Sequence, residues 1–91
     1  MLFHLRWPDG TAQACYSPSL VVTEHLEAGR SYPVPELVDR TRTALGIASD
    51  RVREKYGMPC SRAAATLAQV EAAAARQAPG GEVLVARLQT G

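Results

Sequence analysis

Val34-Pro35-Glu36-Leu37-Val38-Asp39-Arg40-Thr41-Arg42-Thr43-Ala44-Leu45-Gly46-Ile47-Ala48-Ser49-Asp50-Arg51-Val52-Arg53-Glu54-Lys55-Tyr56-Gly57 is the stretch on which the fold turns. Val34, Leu37, Val38, Thr41, Leu45, Ala48, Val52 and Lys55 recur at spacings of three and four, the signature of one buried stripe on a helix. Pro35 and Glu36 suit a first turn, and Gly57-Met58-Pro59 is a strong stop. Gly46 interrupts the stretch at a cost of ~1 kcal/mol relative to alanine. It marks either a close packing contact or a break, with Ser49-Asp50 capping a second piece; one helix, with Gly46 a site for a kink, is the preferred reading.

Downstream, Ser61 or Cys60 caps a further helix that runs to about Gln77. Its narrow apolar stripe is Ala63, Leu67, Val70 and Ala74. The alanine run 72–75 needs no disorder, because alanine is the best helix former. Pro79-Gly80-Gly81 turns the chain into a last strand, Glu82 to Gln89. Strict alternation would set Leu84, Ala86 and Leu88 on one side and Val83, Val85 and Arg87 on the other.

Upstream, residues 2–7 alternate as a strand, with Phe3, Leu5 and Trp7 on one side. Pro8-Asp9-Gly10 is a turn, since proline fixes φ, aspartate bonds back to the backbone and glycine accepts positive φ. Residues 11–16 return as the second strand of a hairpin. Ser17-Pro18 then opens a short helix, Ser19 to about Glu27, which closes at Ala28-Gly29. Residues 30–33 read as a linker. The expected fold is α+β, a three-stranded, mainly antiparallel sheet in ββαααβ order with three helices on one face. The last strand pairs beside the first, which becomes central. The 91 residues fit a single domain, 1–91.

Composition narrows the function classes. The net charge is +1, with nine arginines and one lysine against nine acidic residues. This is no nucleic-acid footprint. No stretch approaches the ~18 apolar residues of a membrane span. Met1-Leu2-Phe3-His4-Leu5-Arg6 lacks the pattern of a secretory signal. The expected location is the cytoplasm, where cysteines are reduced. Hydrophobic residues make up 46% of the chain, but many are alanine. So small a core gains from docking, onto a second copy as a homodimer or onto another protein.

The candidate chemical groups are few. Cys15 and Cys60 stand where the chain enters helices, and unpaired N–H groups there favour a thiolate. Both are candidate thiols, against the plain reading of buried small hydrophobes. With His4 and His25 they match no metal spacing, so no metal site, cofactor or catalytic constellation is assigned. Either histidine could serve as a base, but no nucleophile motif stands beside them. Ser17, Ser19 and Ser61 offer hydroxyls beside helix N-termini, a candidate small-anion site. Arg40, Arg42, Arg51 and Arg53 alternate with acids along the long helix, as on a solvated face or on a partner surface. Trp7 and Tyr56 are expected in the core, and Tyr32 in an exposed linker where it would join the partner surface.

Beyond residue types, five blocks carry a resemblance. They are Arg6-Trp7-Pro8-Asp9-Gly10, Cys15-Tyr16-Ser17-Pro18-Ser19, Gly29-Arg30-Ser31-Tyr32, Arg42-Thr43-Ala44-Leu45-Gly46-Ile47-Ala48-Ser49 and Arg51-Val52-Arg53-Glu54-Lys55-Tyr56-Gly57. Over about Leu5 to Ala75 the chain resembles a family of short bacterial proteins labelled nitrogen starvation response proteins. The resemblance implies a place in a gene cluster with a nitrilase-like hydrolase, a radical-SAM-type protein, an acetyltransferase-like protein and a flavin-dependent oxidoreductase. It thereby implies protein partners in nitrogen assimilation from nitriles or cyanide. It implies no catalytic residue. The expected function is a non-enzymatic accessory or regulatory protein. The alternatives are a thiol-dependent carrier using Cys15 or Cys60 and a small-anion sensor.

Overall fold

The computed structural model of the chain describes residues 1–58 and 61–90. Four strands, β1 (Leu2–Arg6), β2 (Ala12–Tyr16), β3 (Ser31–Pro33) and β4 (Glu82–Gln89), form one antiparallel sheet in the order β2-β1-β4-β3. Two α-helices, α1 (Val34–Tyr56) and α2 (Ser61–Ala75), pack on its inner face. The sheet therefore has four strands and not three, and the described helices are two and not three. The central place of β1 between β2 and β4 matches the expected pairing.

The missing helix has a local cause. Leu20–Glu24 forms one short 3₁₀ turn instead. Val21, Val22 and Thr23 are β-branched and resist the α conformation. The Thr23 hydroxyl donates to the Leu20 carbonyl at 2.7 Å, and the cap is Ser19, not Ser17. A segment this short cannot offset the cost of helix nucleation.

The extra strand hides in the expected linker. Tyr32 pairs with Val83, and the flanking Gly29 N–H donates to the Val85 carbonyl at 2.7 Å. Three residues ending in Pro33 leave no alternation to detect. Pairing along β4 nonetheless satisfies backbone groups that burial would otherwise leave unmet.

Strand β4 also breaks the expected alternation. Its register with β1 slips between His4 and Leu5, because His4 faces Arg87 while Leu5 faces Val85. Ala86 is the extra residue of a bulge. Val83 and Val85 point inward before it, and Leu88 points inward after it. The bulge thus puts the larger side chains inside on both halves of the strand.

Phe3, Leu5, Val83 and Val85 from the sheet meet Leu37, Ala44 and Leu45 of α1 and Ala63, Val70 and Ala73 of α2 in one core cluster. Trp7 closes one end of it, with its indole N–H donating to Gln13 Oε1 at 2.7 Å. Beside it the two turns touch. A Cβ on Gly81 would meet Pro8 Cγ at 2.6 Å, so this close approach requires glycine. Gln77 bonds both the Asp9 N–H, at 3.2 Å, and the Asp9 carboxylate, at 3.3 Å.

Helix α1 passes through Gly46 without interruption, and a Cβ there would meet nothing within 4 Å. Gly46 is neither a break nor a packing contact. Its ~1 kcal/mol penalty is small beside the ~1.5–3 kcal/mol that burial of each of Leu37 and Leu45 supplies. Helix α1 ends on Gly57, whose φ of 78° is the left-handed cap expected of glycine.

Two substitutions follow. Gly46→Ala should raise stability by ~0.5–1 kcal/mol. Thr41 is buried, and its hydroxyl has no partner among the described residues. Thr41→Val removes that unmet group and should stabilise by about 1 kcal/mol. Each gain corresponds to a melting temperature about 4–8 °C higher per kcal/mol. A fall for either, measured by thermal unfolding, would contradict the packing described.

Candidate functional site

Helix α1 is longer than the sheet it covers. Its 23 residues span roughly 34 Å, whereas the eight of β4, the longest strand, span about 26 Å. Its buried residues are Leu37, Thr41, Ala44, Leu45 and Ala48, and none lies beyond Ala48. The apolar periodicity nevertheless continues through Val52 and Tyr56. On the last two turns this stripe is covered only in part, with Val52 half-buried and Tyr56 exposed.

At this end Pro18 and Ser19 approach the helix and, with Ala48, Arg51, Val52, Lys55 and Tyr56, line a depression of about 210 Å³. Tyr56 is 69% and Met58 70% exposed, and Leu20, next to Ser19, is 55% exposed. These are the large exposed hydrophobic residues of the described chain. Arg51 is tied down by donation to the Ser19 hydroxyl at 3.1 Å. The Lys55 ammonium lies 5.5 Å from the Tyr56 ring centre. Among the described residues, neither Arg51, Arg53 nor Lys55 has a carboxylate within ion-pair distance. Asp50 and Glu54 lie on the same turns, so residues 50–56 carry a net charge of +1. Tyr56 was expected in the core; it is exposed because the core ends two turns before it.

Tyr32 shows the opposite correction. It is 1% exposed and faces inward from β3, so it presents no partner surface. Its hydroxyl accepts the Glu27 N–H at 3.0 Å. The guanidinium carbons of Arg30 and Arg40 each lie 4.9 Å from its ring centre. Arg40 also donates to Glu36 at 2.9 Å and to the His25 carbonyl at 3.0 Å. It thereby holds the loop after the 3₁₀ turn against α1. Arg42 is engaged too, with Asp39 at 3.0 Å and Glu71 at 3.8 Å. Of the four helix arginines singled out in the sequence, Arg40 and Arg42 are occupied within the fold, and Arg51 and Arg53 lie at the free end.

The remaining candidates sit elsewhere. Cys15 lies in β2 opposite Phe3, faces the core and is 1% exposed. Burial pushes its thiol up to about 12, the reverse of activation at a helix start. Cys60 lies outside the described residues. Ser17 is fully buried; its hydroxyl donates to the Ser19 carbonyl at 2.8 Å and accepts the Ser19 N–H at 3.3 Å. The Ser19 hydroxyl accepts the Val21 N–H. Ser17 and Ser19 therefore spend their hydroxyls inside the fold, and Ser61 stands exposed at the start of α2.

Sequence reasoning passed over two groups that matter here. Arg30 gives no signal until β3 places it beside Tyr32. Met58 was read only as part of a helix stop, although a large apolar residue after the last helical turn is itself a pointer. No helix among the described residues is long and apolar enough to cross a membrane.

The state of Cys15 has a direct consequence. The unfolded thiol ionises near its ordinary value of 9.0, whereas the folded one keeps its proton to about 12. Its contribution to stability is complete below pH ~9 and is lost as pH rises towards ~12. Thiol labelling at pH 7.5 should modify Cys15 only at the rate of unfolding. Rapid labelling of Cys15 in the folded protein would contradict this placement.

A family model described as nitrogen starvation-induced protein NitG matches residues 2–88. No curated protein and no solved structure shows significant similarity to the chain.

Proposed function

The chain belongs to the family of nitrogen starvation-induced protein NitG, and from that membership we propose that it is a small non-enzymatic accessory protein of the nitrogen-starvation response. It acts through a protein partner that docks on the free end of α1. The observation that carries this reading is the exposure of Tyr56 and Met58 at the end of α1 and of Leu20 next to Ser19, beside a depression lined by Arg51, Lys55 and half-buried Val52.

Exposed aromatic and methionine side chains are the residue types enriched at the centres of protein interfaces. Burying Tyr56 and Met58 would contribute roughly 1.5–3 kcal/mol each. Arg51 and Lys55 in the lining of the depression favour a partner with an apolar pocket edged by carboxylates, and such charges act chiefly on association rate and specificity. We place the response in scavenging of nitrogen from nitriles or cyanide, with the partner among the enzymes of such a pathway; the resemblance of the sequence blocks supports this. Against a catalytic role stands the chemistry available. The described cysteine is buried, Arg40 and Arg42 are engaged, and among the described residues no three His, Cys, Asp or Glu side chains converge.

The test is capture of partners from nitrogen-starved cells with the tagged protein. Tyr56→Glu and Met58→Glu should each reduce the captured partner at least about tenfold, while melting temperatures stay within ~2 °C of the parent. Arg42→Glu, about 21 Å away along the helix, should leave capture unchanged. Undiminished capture by the double Tyr56→Glu, Met58→Glu variant would overturn the proposal.

A further inference from the structure

The two edges of the sheet are built differently. One edge strand, β3, has only three residues and ends in Pro33, a protected edge. The other, β2, has five residues, Ala12-Gln13-Ala14-Cys15-Tyr16, with no charge, proline or bulge. Such an edge is a template for another strand.

The pairing with β1 shows which backbone groups are free. Ser17 and Met1 exchange both bonds, at 3.0 and 2.9 Å, and the Trp7 N–H donates to the Thr11 carbonyl at 2.9 Å. Hydrogen-bonded pairs alternate along an antiparallel ladder. Residues 11, 13, 15 and 17 therefore bond to β1. Ala12, Ala14 and Tyr16 turn their N–H and C=O groups to the open side, where no bond is recorded among the described residues.

We propose that this edge pairs with the same edge of a second copy, giving a two-fold dimer with one continuous eight-stranded sheet. The register follows from the free groups, with Ala14 opposite Ala14 of the second copy and Ala12 opposite Tyr16. A two-fold axis through Ala14 satisfies the free groups of all three residues on each copy. Large then stands against small, Tyr16 over Ala12, and the uncharged strands carry no like-charge repulsion.

The adjoining surface fits the same occupant. Ala65 and Gln69 of α2 line a notch of about 240 Å³ with Leu2, Ala14 and Tyr16. Arg62 and Thr66 of α2 complete its lining. Arg62 lies over Tyr16, 3.7 Å from its ring centre. In the proposed register the two Tyr16 residues are four positions apart, so the stacked Arg62 pair is separated by ~14 Å, beyond the screening length of ~8–10 Å. The contact is confined to a strand of about 17 Å and a helix of about 22 Å beside it, at the small end of specific interfaces. The dimer is accordingly a weak one.

Sedimentation equilibrium from about 1 to about 500 μM should show a reversible monomer–dimer equilibrium. Ala14→Pro removes an N–H that β1 does not use and should weaken dimerisation at least about tenfold. Should that variant not fold by circular dichroism, Ala14→Lys supplies the same loss through charge at the axis. Register is tested by oxidation in a Cys60→Ser background. Paired Ala14 positions lie about 5.5 Å apart, within disulfide reach, so Ala14→Cys should cross-link and Ala12→Cys should not. A parent that stays monomeric at the highest concentration would overturn the proposal, and so would equal cross-linking of the two cysteine variants. A strand-like complex with another protein in place of self-association would likewise overturn it.

Discussion

Burial of one stripe of α1 against the sheet holds the molecule together. Leu37 and Leu45 supply its bulk, and Thr41, Ala44 and Ala48 let the helix lie close. Phe3, Leu5, Val83 and Val85 answer from the strands. With so few large side chains, the core tolerates little loss. Truncating Leu37 or Leu45 to alanine costs ~2–5 kcal/mol, a large part of the ~5–15 kcal/mol that a domain possesses. The same helix also leaves Tyr56 exposed, because it continues for two turns after its last buried residue, Ala48.

The smaller features arrange the chain around that contact. The Ala86 bulge brings both halves of β4 into phase with the core. Tyr32 anchors the short edge strand, and Arg30 and Arg40 cover its ring while Arg40 fastens the loop after the 3₁₀ turn. Arg51 sets Pro18 and Ser19 beside the free end of α1. The arginines thus divide by position. Arg40 fastens a loop and Arg42 pairs with Asp39 and Glu71, while at the far end Arg51 bonds Ser19 and Arg53 has no carboxylate within ion-pair distance among the described residues.

The sequence made the long helix, the hairpin and the central β1 legible, since each rests on a strong local signal. Periodicity marks α1, proline-aspartate-glycine marks the turn, and alternation marks β1. It hid β3, whose pairing with β4 is wholly non-local, and it overstated the first helix, where capping residues outweighed three β-branched neighbours. The candidate site was half legible. Of the four arginines named in the sequence, Arg51 and Arg53 lie on the last turns of α1 and Arg40 and Arg42 lie over the fold. Tyr32 and Tyr56 were exchanged, because a tyrosine on a periodic helix looks buried unless the length of its cover is known. Helix length is written in the sequence; sheet width emerges only from pairing.

Hydrogen exchange of the free protein, resolved to single amides, tests the central claim that α1 outruns its core. Amides from Thr41 to Ala48 should exchange only through the slowest, global opening, whereas those from Arg53 to Gly57 should exchange through local opening, orders of magnitude faster. Equal protection along the whole of α1 would mean that its last turns are covered within the chain, and the account of a free docking end would be wrong.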